Sequence, residues 1–273
     1  MDRYLSRSAA GASAAMRMPA PVEPATATPT PLRLAPLEPA RTLPGLSVVI
    51  PCFNEDANVA GVVEDARAAA GRSADVHEVI VVDDGSTDAT SEIALVLARR
   101  HPDVRLVAHE RNRGYGAAVR SGFETADMPW VFLTDGDRQF DLGQLEELVR
   151  RSNGADVIAG RRVHRADPLG RRVAARAWNA LVRRMFAVPL RDVDCAFKLM
   201  RRDLLDRLDL QADGAMVSTE LIVKCRRAGA RIVEVDVEHR PRTAGEQSGA
   251  SPRVVARAFR ELFRMRGALA ARG

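Results

Sequence analysis

Short apolar runs alternate with amphipathic segments through the first part of this chain, and this alternation constrains its fold more than any other feature. Apolar, β-branched runs predict buried strands at 46–50, 78–84, 104–109, 130–134 and 156–159. The segments between them predict helices at 58–70, 88–100, 116–126 and 142–152. Strands that alternate with helices in this way form a mostly parallel, doubly wound sheet with helices on both faces. We therefore predict an α/β fold.

Composition divides the chain into three parts. Residues 1–44 are rich in Ala, Pro and Thr and carry few large apolar side chains to offset the entropy of ordering, so we predict a disordered tail. Residues 45–250 form the predicted α/β domain. In its second half we expect helices at 174–186, 203–208 and 219–228 and a strand at 232–237. Residues 251–273 predict a basic amphipathic helix.

Charge, aromatic content and cysteines narrow the classes of partner and compartment. The formal net charge is +5, which favours anionic partners. Aromatic residues make up only 4% of the chain and no nucleic-acid-binding motif is present, so we expect no nucleic-acid partner. The three cysteines lie far apart, which favours a reducing, cytoplasmic location over a disulfide framework or a zinc site. No run approaches the ~18 apolar residues of a membrane-spanning helix.

Polar side chains follow three of the predicted strands at the point where each strand ends. In parallel α/β sheets, ligands bind outside the carboxyl ends of the strands. We therefore expect these side chains to converge on one cleft. In chain order they are Asn54 and Glu55, Asp83 and Asp84, and Asp135 and Asp137.

The segment Asp135-Gly-Asp137 is a candidate metal site. Two carboxylates one residue apart, directly after a buried strand, can both reach a hard cation. Mg²⁺ and Mn²⁺ prefer oxygen ligands and commonly bridge to substrate phosphates. Gln139 can add a carbonyl oxygen. The alternative interpretation is a pair of solvated turn acids.

The segment VVDDGSTD at 81–88 has two interpretations that can both hold. A carboxylate at a strand end can accept hydrogen bonds from a nucleobase or from ribose hydroxyls, which favours Asp83 and Asp84 as nucleotide contacts. Ser86, Thr87 or Asp88 can instead cap the following helix. The glycines at 114 and 116 follow a charged segment rather than a strand, so we predict a tight turn that opens a helix and not a dinucleotide fingerprint.

Arginines are concentrated in two stretches, at 161–176 and 240–242. Arginine binds phosphate oxygens with two hydrogen bonds at once, so these stretches are candidates for gripping a diphosphate or an anionic acceptor. A solvated basic face is the alternative for any single member of the group. The five histidines share no spacing and are expected to be structural or exposed.

The motifs, taken in order, resemble family 2 glycosyltransferases with the GT-A fold. Those that carry the resemblance are PCFNE at 51–55, VDDGSTD at 82–88, NRGYGA at 112–117 and DGDRQ at 135–139. A narrower resemblance, to the polyprenyl- or dolichyl-phosphate hexosyltransferase branch, is carried by DVIAGRR at 156–162, DVDCAFK at 192–198 and EVDVEHRPR at 234–242. The resemblance covers about residues 46–250.

The resemblance implies a role for each matching residue. It implies a nucleotide-sugar donor, Mg²⁺ or Mn²⁺ as cofactor, inversion at the anomeric carbon and a lipid-phosphate acceptor. The implied metal and diphosphate ligands are Asp135, Asp137 and Gln139, with Asp137 also catalytic. The implied nucleotide contacts are Pro51, Asn54, Glu55, Asp83 and Asp84, and the implied phosphate contacts are Arg162, Arg176 and Arg242.

The acceptor decides whether a catalytic base is needed. A hydroxyl acceptor needs a carboxylate within hydrogen-bond reach to take its proton, whereas a lipid phosphate is already an anion. Asp192 and Glu220 are the candidates for this base, and each can instead position the acceptor or support the structure. The chain departs from the branch at Arg138, at Ala196 and after Ser248, where a lysine is usual.

Three functional hypotheses follow. The first is metal-dependent, inverting hexosyl transfer to a polyprenyl phosphate, performed in the cytoplasm or peripherally on the inner face of the cell membrane. The second is transfer to a glycan or lipid hydroxyl, and the third is a non-catalytic module that binds sugar nucleotides. Membrane contact would rest on the basic amphipathic segments 174–186 and 254–271, for which packing against the core is the alternative.

Overall fold

A computed structural model gives the fold of residues 42–163, 169–242, 260–262 and 265–267. The predicted tail lies outside these residues except for its last three, and six residues of the predicted C-terminal helix lie within them, all in helical conformation. Leu43 is buried and forms a parallel bridge with Ala74, so backbone pairing begins two residues before the predicted start of the domain.

Within the described residues, seven strands form one sheet in the order β3-β2-β1-β4-β6-β5-β7. The strand β6 runs antiparallel to both of its neighbours, and the other pairs are parallel. The predicted mostly parallel sheet is therefore confirmed. The strands β1 to β7 are Leu46–Cys52, His77–Asp83, Val104–Ala108, Trp130–Leu133, Val157–Val163, Lys198–Arg201 and Ile232–Glu238.

Helices lie between the strands at the positions that the apolar spacing predicts. The predicted helix at 142–152 is divided into a 3₁₀ turn, Leu142–Gln144, and a short α-helix. The helix predicted at 203–208 is only four residues long. The helices α1 to α7 are Asp56–Ser73, Thr90–Arg100, Tyr115–Thr125, Leu145–Val149, Leu169–Phe186, Arg202–Leu205 and Met216–Arg227.

Each central strand buries both of its faces, which is why these strands are continuous apolar runs and not alternating ones. In β2, Val79 and Val81 belong to the core cluster beneath α1, α2 and α4. Ile80 and Val82 belong to the cluster beneath α3, α5 and α7. The sheet is thus covered on both faces, as the doubly wound prediction requires.

The strand β6 is the element that the sequence did not predict. It is four residues long and begins with Lys198, which is completely buried. The Lys198 ammonium donates to the backbone carbonyls of Val193 and Cys195, and these bonds allow a cation to lie inside the sheet. Because a lysine occupies one position in a segment of only four residues, the pattern of apolar residues could not predict this strand.

The two segments considered for membrane contact pack against the protein core where they are described. Val182 of α5 is completely buried, and four apolar neighbours on the same face are partly buried against the same cluster. Leu262 is also completely buried and Met265 is partly buried there. The alternative of core packing is therefore confirmed for these residues. No helix within the described residues is long and apolar enough to cross a membrane.

We expect Leu148→Ala to lower the free energy of unfolding by about 2 to 5 kcal/mol, because the substitution leaves a cavity in a fully packed core. Leu148 is completely buried in α4, whereas Leu95 of α2 is 41% exposed. Leu95→Ala is the matched control and should change the free energy of unfolding by less than about 1 kcal/mol. Urea denaturation of the three proteins tests this, and equal losses for both variants would contradict the described core.

Candidate active site

A cleft of about 410 Å³ opens at the carboxyl ends of β1, β2 and β4. Its walls come from the first turn after each of these strands, from the start of α3 and from segments far along the chain. The residues that line it are Pro51, Cys52, Phe53, Glu55, Asp84, Asn112, Gly114, Tyr115, Ala118, Asp135, Gly136, Asp137, Gly214, Ala215, Met216, Arg242 and Glu261. The carboxyl ends of β1, β2 and β4 therefore meet at one cleft, as predicted.

Asp135 and Asp137 lie together in the turn that follows β4. Asp135 accepts a hydrogen bond from the Tyr115 hydroxyl at 3.0 Å, and Asp137 accepts one from the Gln139 backbone N–H at 3.1 Å. Burial raises the pKa of both carboxyls. The negative charge of Asp135 raises that of Asp137 further, to about 6. Two partly desolvated carboxylates that repel each other form a site that favours a cation.

The residues present fit a divalent cation that is shared with a phosphate ligand. Among the described residues, no group of three or more His, Cys, Asp or Glu side chains could enclose a metal ion. Proteins usually bind Mg²⁺ through only one or two carboxylates, and phosphate oxygens and water complete its coordination. Gly136 allows the turn to lie against β1, since a Cβ there would be 2.8 Å from the Cys52 sulfur.

Gln139, predicted as a third metal ligand, is not among the residues that line the cleft. Its side-chain amide donates to the carbonyl of Arg240 at 2.8 Å, and the Arg240 backbone N–H donates to the Gln139 carbonyl at 2.8 Å. Gln139 is buried and joins the turn after β4 to the segment after β7. Its observed contacts therefore hold the segment that carries Arg242.

Arg242 places a positive charge among the cleft carboxylates. Its guanidinium is hydrogen-bonded to Glu55, and one of its nitrogens lies 3.7 Å from an Asp137 oxygen. The Arg242 and Glu55 side chains are only 16% and 11% exposed. A guanidinium next to the carboxylate pair suits a diphosphate that bridges metal and protein.

Asp84 lines the cleft but its oxygens already accept several hydrogen bonds. It accepts from the backbone N–H groups of Arg113 and Gly114 at 2.9 and 2.8 Å, and His109 Nδ1 lies 2.7 Å from it. His109 is thus structural, as predicted, because its other ring nitrogen lies 2.9 Å from the Ser121 hydroxyl. Asp84 fixes the loop that leads into α3.

Asn54 and Asp83 brace the turns beneath the cleft and do not line it. Asp83 accepts from the backbone N–H of Ser86 at 3.1 Å. Asn54, whose φ is 55°, accepts from the Thr87 backbone N–H at 2.8 Å. Their contacts join the ends of β1 and β2, so that Pro51, Glu55 and Asp84 keep their positions.

Comparison with known proteins identifies the family. The model of the family described as Glycosyl transferase family 2 matches residues 47–209, more than half of the chain. The chain belongs to glycosyl transferase family 2. The family predicted from the ordered motifs is therefore confirmed, and the match includes Asp84 and the pair Asp135 and Asp137.

Two curated relatives of this family 2 chain have names that describe what they do. The chain is 30% identical over 204 residues to the undecaprenyl-phosphate 4-deoxy-4-formamido-L-arabinose transferase of Photorhabdus laumondii, covering 74% of this chain and 62% of that protein. It is 35% identical over 207 residues to glycosyltransferase AglD of Haloferax volcanii, covering 72% of this chain and 33% of that protein. The chain therefore spans less than two thirds of the length of these relatives.

Solved structures confirm the fold class. Glucosyl-3-phosphoglycerate synthase from Mycobacterium tuberculosis in complex with uridine-diphosphate superposes with a TM-score of 0.64 at 22% identity, covering 82% of this chain and 80% of that chain. The same protein in complex with Mn²⁺, uridine-diphosphate and phosphoglyceric acid gives a TM-score of 0.64 at 23% identity, covering 82% and 78%. At these identities the likeness concerns the fold alone, and the predicted GT-A fold is confirmed.

Arg162 and Asp192 form a buried ion pair that is not part of the cleft lining. Two guanidinium nitrogens of Arg162 donate to the two Asp192 oxygens, each at 2.8 Å. Asp192 is 5% exposed, and its backbone N–H donates to Glu234 at 2.9 Å. The pair joins β5 to the segment before β6. Arg176, the third arginine predicted to contact phosphate, is exposed on α5 and does not line the cleft either.

Glu220, the other candidate base, also lies away from the cleft lining. It is 5% exposed on α7, and both of its carboxylate oxygens accept backbone N–H bonds from the segment that precedes this helix. Lys224, one turn further along α7, lies 2.7 Å from it. The structure thus brings neither candidate base to the cleft.

Several cleft residues were not singled out from the sequence. Phe53 and Asn112 fall inside motifs that were recognised, and Tyr115 lies between two glycines whose spacing marked the turn, so a signal was present for all three. Met216 and Glu261 carried no signal, because each reaches the cleft only through the packing of its helix.

Arg138, which differs from the residue usual in the family branch, is paired with Asp65. Its backbone is in the left-handed region with φ of 56°, and its guanidinium is hydrogen-bonded to Asp65 at 2.9 and 3.2 Å. It lies over Gly61 of α1, where a Cβ would overlap it. Arg138 is exposed and does not line the cleft, so this departure leaves the candidate site unobstructed.

We expect Tyr115→Phe to weaken Mn²⁺ binding in the presence of a nucleoside diphosphate by about 10- to 100-fold. The Tyr115 hydroxyl orients the Asp135 carboxylate, and groups that orient metal ligands typically contribute this much. Thr125→Val is the control, since it removes a hydroxyl from the same helix that is bonded only to Ser121 in the described contacts. Titration calorimetry measures the affinity, and an unchanged affinity in Tyr115→Phe would argue against the metal site.

We expect Asp192→Asn to lower the free energy of unfolding by about 3 kcal/mol or more, because it removes the anion that accepts both hydrogen bonds from the buried Arg162 guanidinium. The neighbouring Arg161 makes a similar two-bond pair with Asp236, which is 53% exposed. Asp236→Asn is therefore the matched control, with an expected loss of about 1 kcal/mol or less. Denaturant unfolding compares the two, and equal losses would contradict the difference in burial.

Proposed function

We propose that this chain transfers a hexose, with inversion, from a nucleotide sugar to a polyprenyl phosphate, with Mg²⁺ or Mn²⁺ held by Asp135 and Asp137. The observation that carries the proposal is the convergence of this carboxylate pair, Glu55, Asp84 and Arg242 on one cleft at the carboxyl ends of the parallel strands. This edge is where sheets of this kind bind their ligands.

The donor is proposed to occupy the cleft with its nucleoside against the ends of β1 and β2. Pro51 and Phe53 offer apolar surface there, with Phe53 39% exposed. The carboxylates of Glu55 and Asp84, which also bond Arg242 and the loop before α3, line the same part of the cleft. Asn54 and Asp83 keep these turns in place from below. A solved structure of the same fold contains uridine-diphosphate, which supports a nucleotide as the ligand.

The diphosphate is proposed to lie between the carboxylate pair and Arg242. A divalent cation supplies charge neutralisation for the leaving diphosphate. Arg242 would donate to the diphosphate, and it is held in place by Glu55 and by the contact between Gln139 and Arg240. Tyr115 keeps the Asp135 carboxylate oriented.

The acceptor is proposed to be a lipid phosphate. The Photorhabdus relative, at 30% identity, is named for transfer to undecaprenyl phosphate. A phosphate monoester is already an anion, so its attack needs no base. Both Asp192 and Glu220 are occupied by other contacts and neither lines the cleft, which suits an acceptor of this kind. Because a lipid acceptor lies in a membrane, we propose that the sugar transfer takes place at a membrane surface, on the cytoplasmic face.

A hydroxyl acceptor is the second candidate, and Glu261 is the observation that favours it. Glu261 is a carboxylate that lines the cleft, and it comes from the C-terminal helical segment. In that reaction it would take the hydroxyl proton. Replacing Glu261 by Gln distinguishes the two, because transfer to a phosphate should survive the change and transfer to a hydroxyl should not.

We expect Asp137→Asn to lower the rate of metal-dependent nucleoside-diphosphate release by about 100-fold or more, since it removes one of the two charges that hold the cation. The assay uses a panel of UDP- and GDP-sugars with Mn²⁺ or Mg²⁺ and a short polyprenyl phosphate. Asp127→Asn, which replaces an exposed acid paired with Arg105, is the control and should keep full activity.

The same assay separates the proposals. Release that depends on the metal, the lipid phosphate and Asp137 supports the proposed function and names the donor. Release that needs the metal but not the lipid keeps the glycosyltransferase and argues against a polyprenyl-phosphate acceptor. Nucleotide binding without release from any donor would support a non-catalytic binding module instead.

A further inference from the structure

The segment at 211–215 is the part of the connection between α6 and α7 that directly precedes α7; it forms part of the cleft wall and is held from within by Glu220. The backbone N–H of Gln211 donates to both Glu220 oxygens, at 3.0 and 2.9 Å, and that of Ala212 donates to one of them at 2.8 Å. Because Glu220 is 5% exposed and Lys224 is 2.7 Å away, these bonds are shielded from water. We call this segment the 211–215 loop.

The other side of the 211–215 loop is pressed against the start of α3. The Gly116 backbone N–H donates to the Asp213 carbonyl at 2.8 Å, and Arg120 donates to the Ala212 carbonyl and to the Asp213 carboxylate. A Cβ at position 116 would overlap the Ala212 carbonyl, so only glycine permits this approach. Tyr115, which bonds Asp135, lies in the same turn.

The part of this wall that faces the cleft is apolar. Gly214, Ala215 and Met216 line the cleft and carry no charged or strongly hydrogen-bonding side chain. Of the charged side chains that line the cleft, Glu55, Asp84, Asp135, Asp137 and Arg242 are assigned to the nucleotide, its diphosphate and the metal, and Glu261 comes from the C-terminal segment. A wall of this composition suits hydrocarbon and offers little to a sugar or a nucleotide.

We infer that Glu220 is a positioning residue, which holds the apolar wall at 214–216 against α3 so that the hydrocarbon of a polyprenyl phosphate can pack there, and that it does not take a proton. This inference rests on the proposed function for the identity of the acceptor. The anionic carboxylate is needed because it accepts hydrogen bonds from two backbone N–H groups, one of them shared by both of its oxygens, and contacts one ammonium group at the same time. The loop, and not the reacting atoms, is what Glu220 touches.

Glu220→Gln tests the inference, because it keeps the size of the side chain and removes its charge. Asp156→Asn is the matched control. The Asp156 carboxylate also accepts a backbone N–H, that of Arg231 at 2.8 Å, but it does so where β5 begins, at the opposite edge of the sheet from the cleft. Arg120→Ala is a second variant, which loosens the 211–215 loop from the α3 side and leaves Glu220 unchanged.

Two measurements are made on the full-length proteins. Hydrogen exchange of peptides that cover 211–216 should be at least about 10-fold faster in Glu220→Gln and Arg120→Ala than in the unchanged protein and in Asp156→Asn. In steady-state transfer to a short polyprenyl phosphate, both loop variants should raise the acceptor KM about 10-fold. Their kcat should fall less than about 3-fold, and the donor KM and the pH profile should stay the same.

A role as base gives the opposite pattern. The kcat of Glu220→Gln would fall by about 100-fold or more, the acidic limb of the rate against pH, where a base becomes protonated, would change, and Arg120→Ala would keep normal kinetics. That result, or unchanged exchange at 211–216 in Glu220→Gln, overturns the inference. If the unchanged protein transfers sugar to no polyprenyl phosphate, the proposed function and the acceptor assigned to this wall both fail, while the exchange data still decide whether Glu220 holds the loop.

Discussion

Negative charge gathered at one edge of the sheet is the constraint on which the rest of this site depends. Three parallel strands end there, so Glu55, Asp84, Asp135 and Asp137 are brought together whatever their mutual repulsion. Burial and the charge of Asp135 raise the pKa of Asp137 to about 6. Arg242 offsets part of this charge, and the proposed cation and diphosphate complete the balance.

The acids of this chain divide by what already occupies their oxygens. Asp84 and Glu220 accept backbone N–H bonds and hold loops, and Asp192 neutralises the buried Arg162. Asp135 accepts a hydrogen bond from the Tyr115 hydroxyl, and Asp137 accepts one from the Gln139 backbone N–H and lies 3.7 Å from Arg242. Carboxylate oxygens that make few contacts within the protein can bind a metal. An acidic residue can therefore support the structure in one place and serve the proposed chemistry in another.

Much of the fold was predictable because its apolar pattern is simple. Strands buried on both faces are continuous apolar runs, and their boundaries came within a few residues of those observed. The strand β6 was not predictable, since the buried Lys198 interrupts a run only four residues long. In the site, Glu55, Asp84, Asp135 and Asp137 line the cleft, whereas the motifs alone could not separate from them Asn54 and Asp83, which brace the turns, or Gln139, which binds the Arg240 backbone.

The sequence by itself determined the alternation of strands and helices, the parallel sheet and the edge at which polar residues meet, because periodicity and strand direction are local properties of the chain. Only the tertiary structure decided which side chains reach the cleft. Arg242 bonds Glu55 across 187 positions, and Glu261 arrives on a C-terminal segment anchored by the buried Leu262. Such contacts depend on how distant segments pack, and packing is not encoded in the spacing of neighbouring residues.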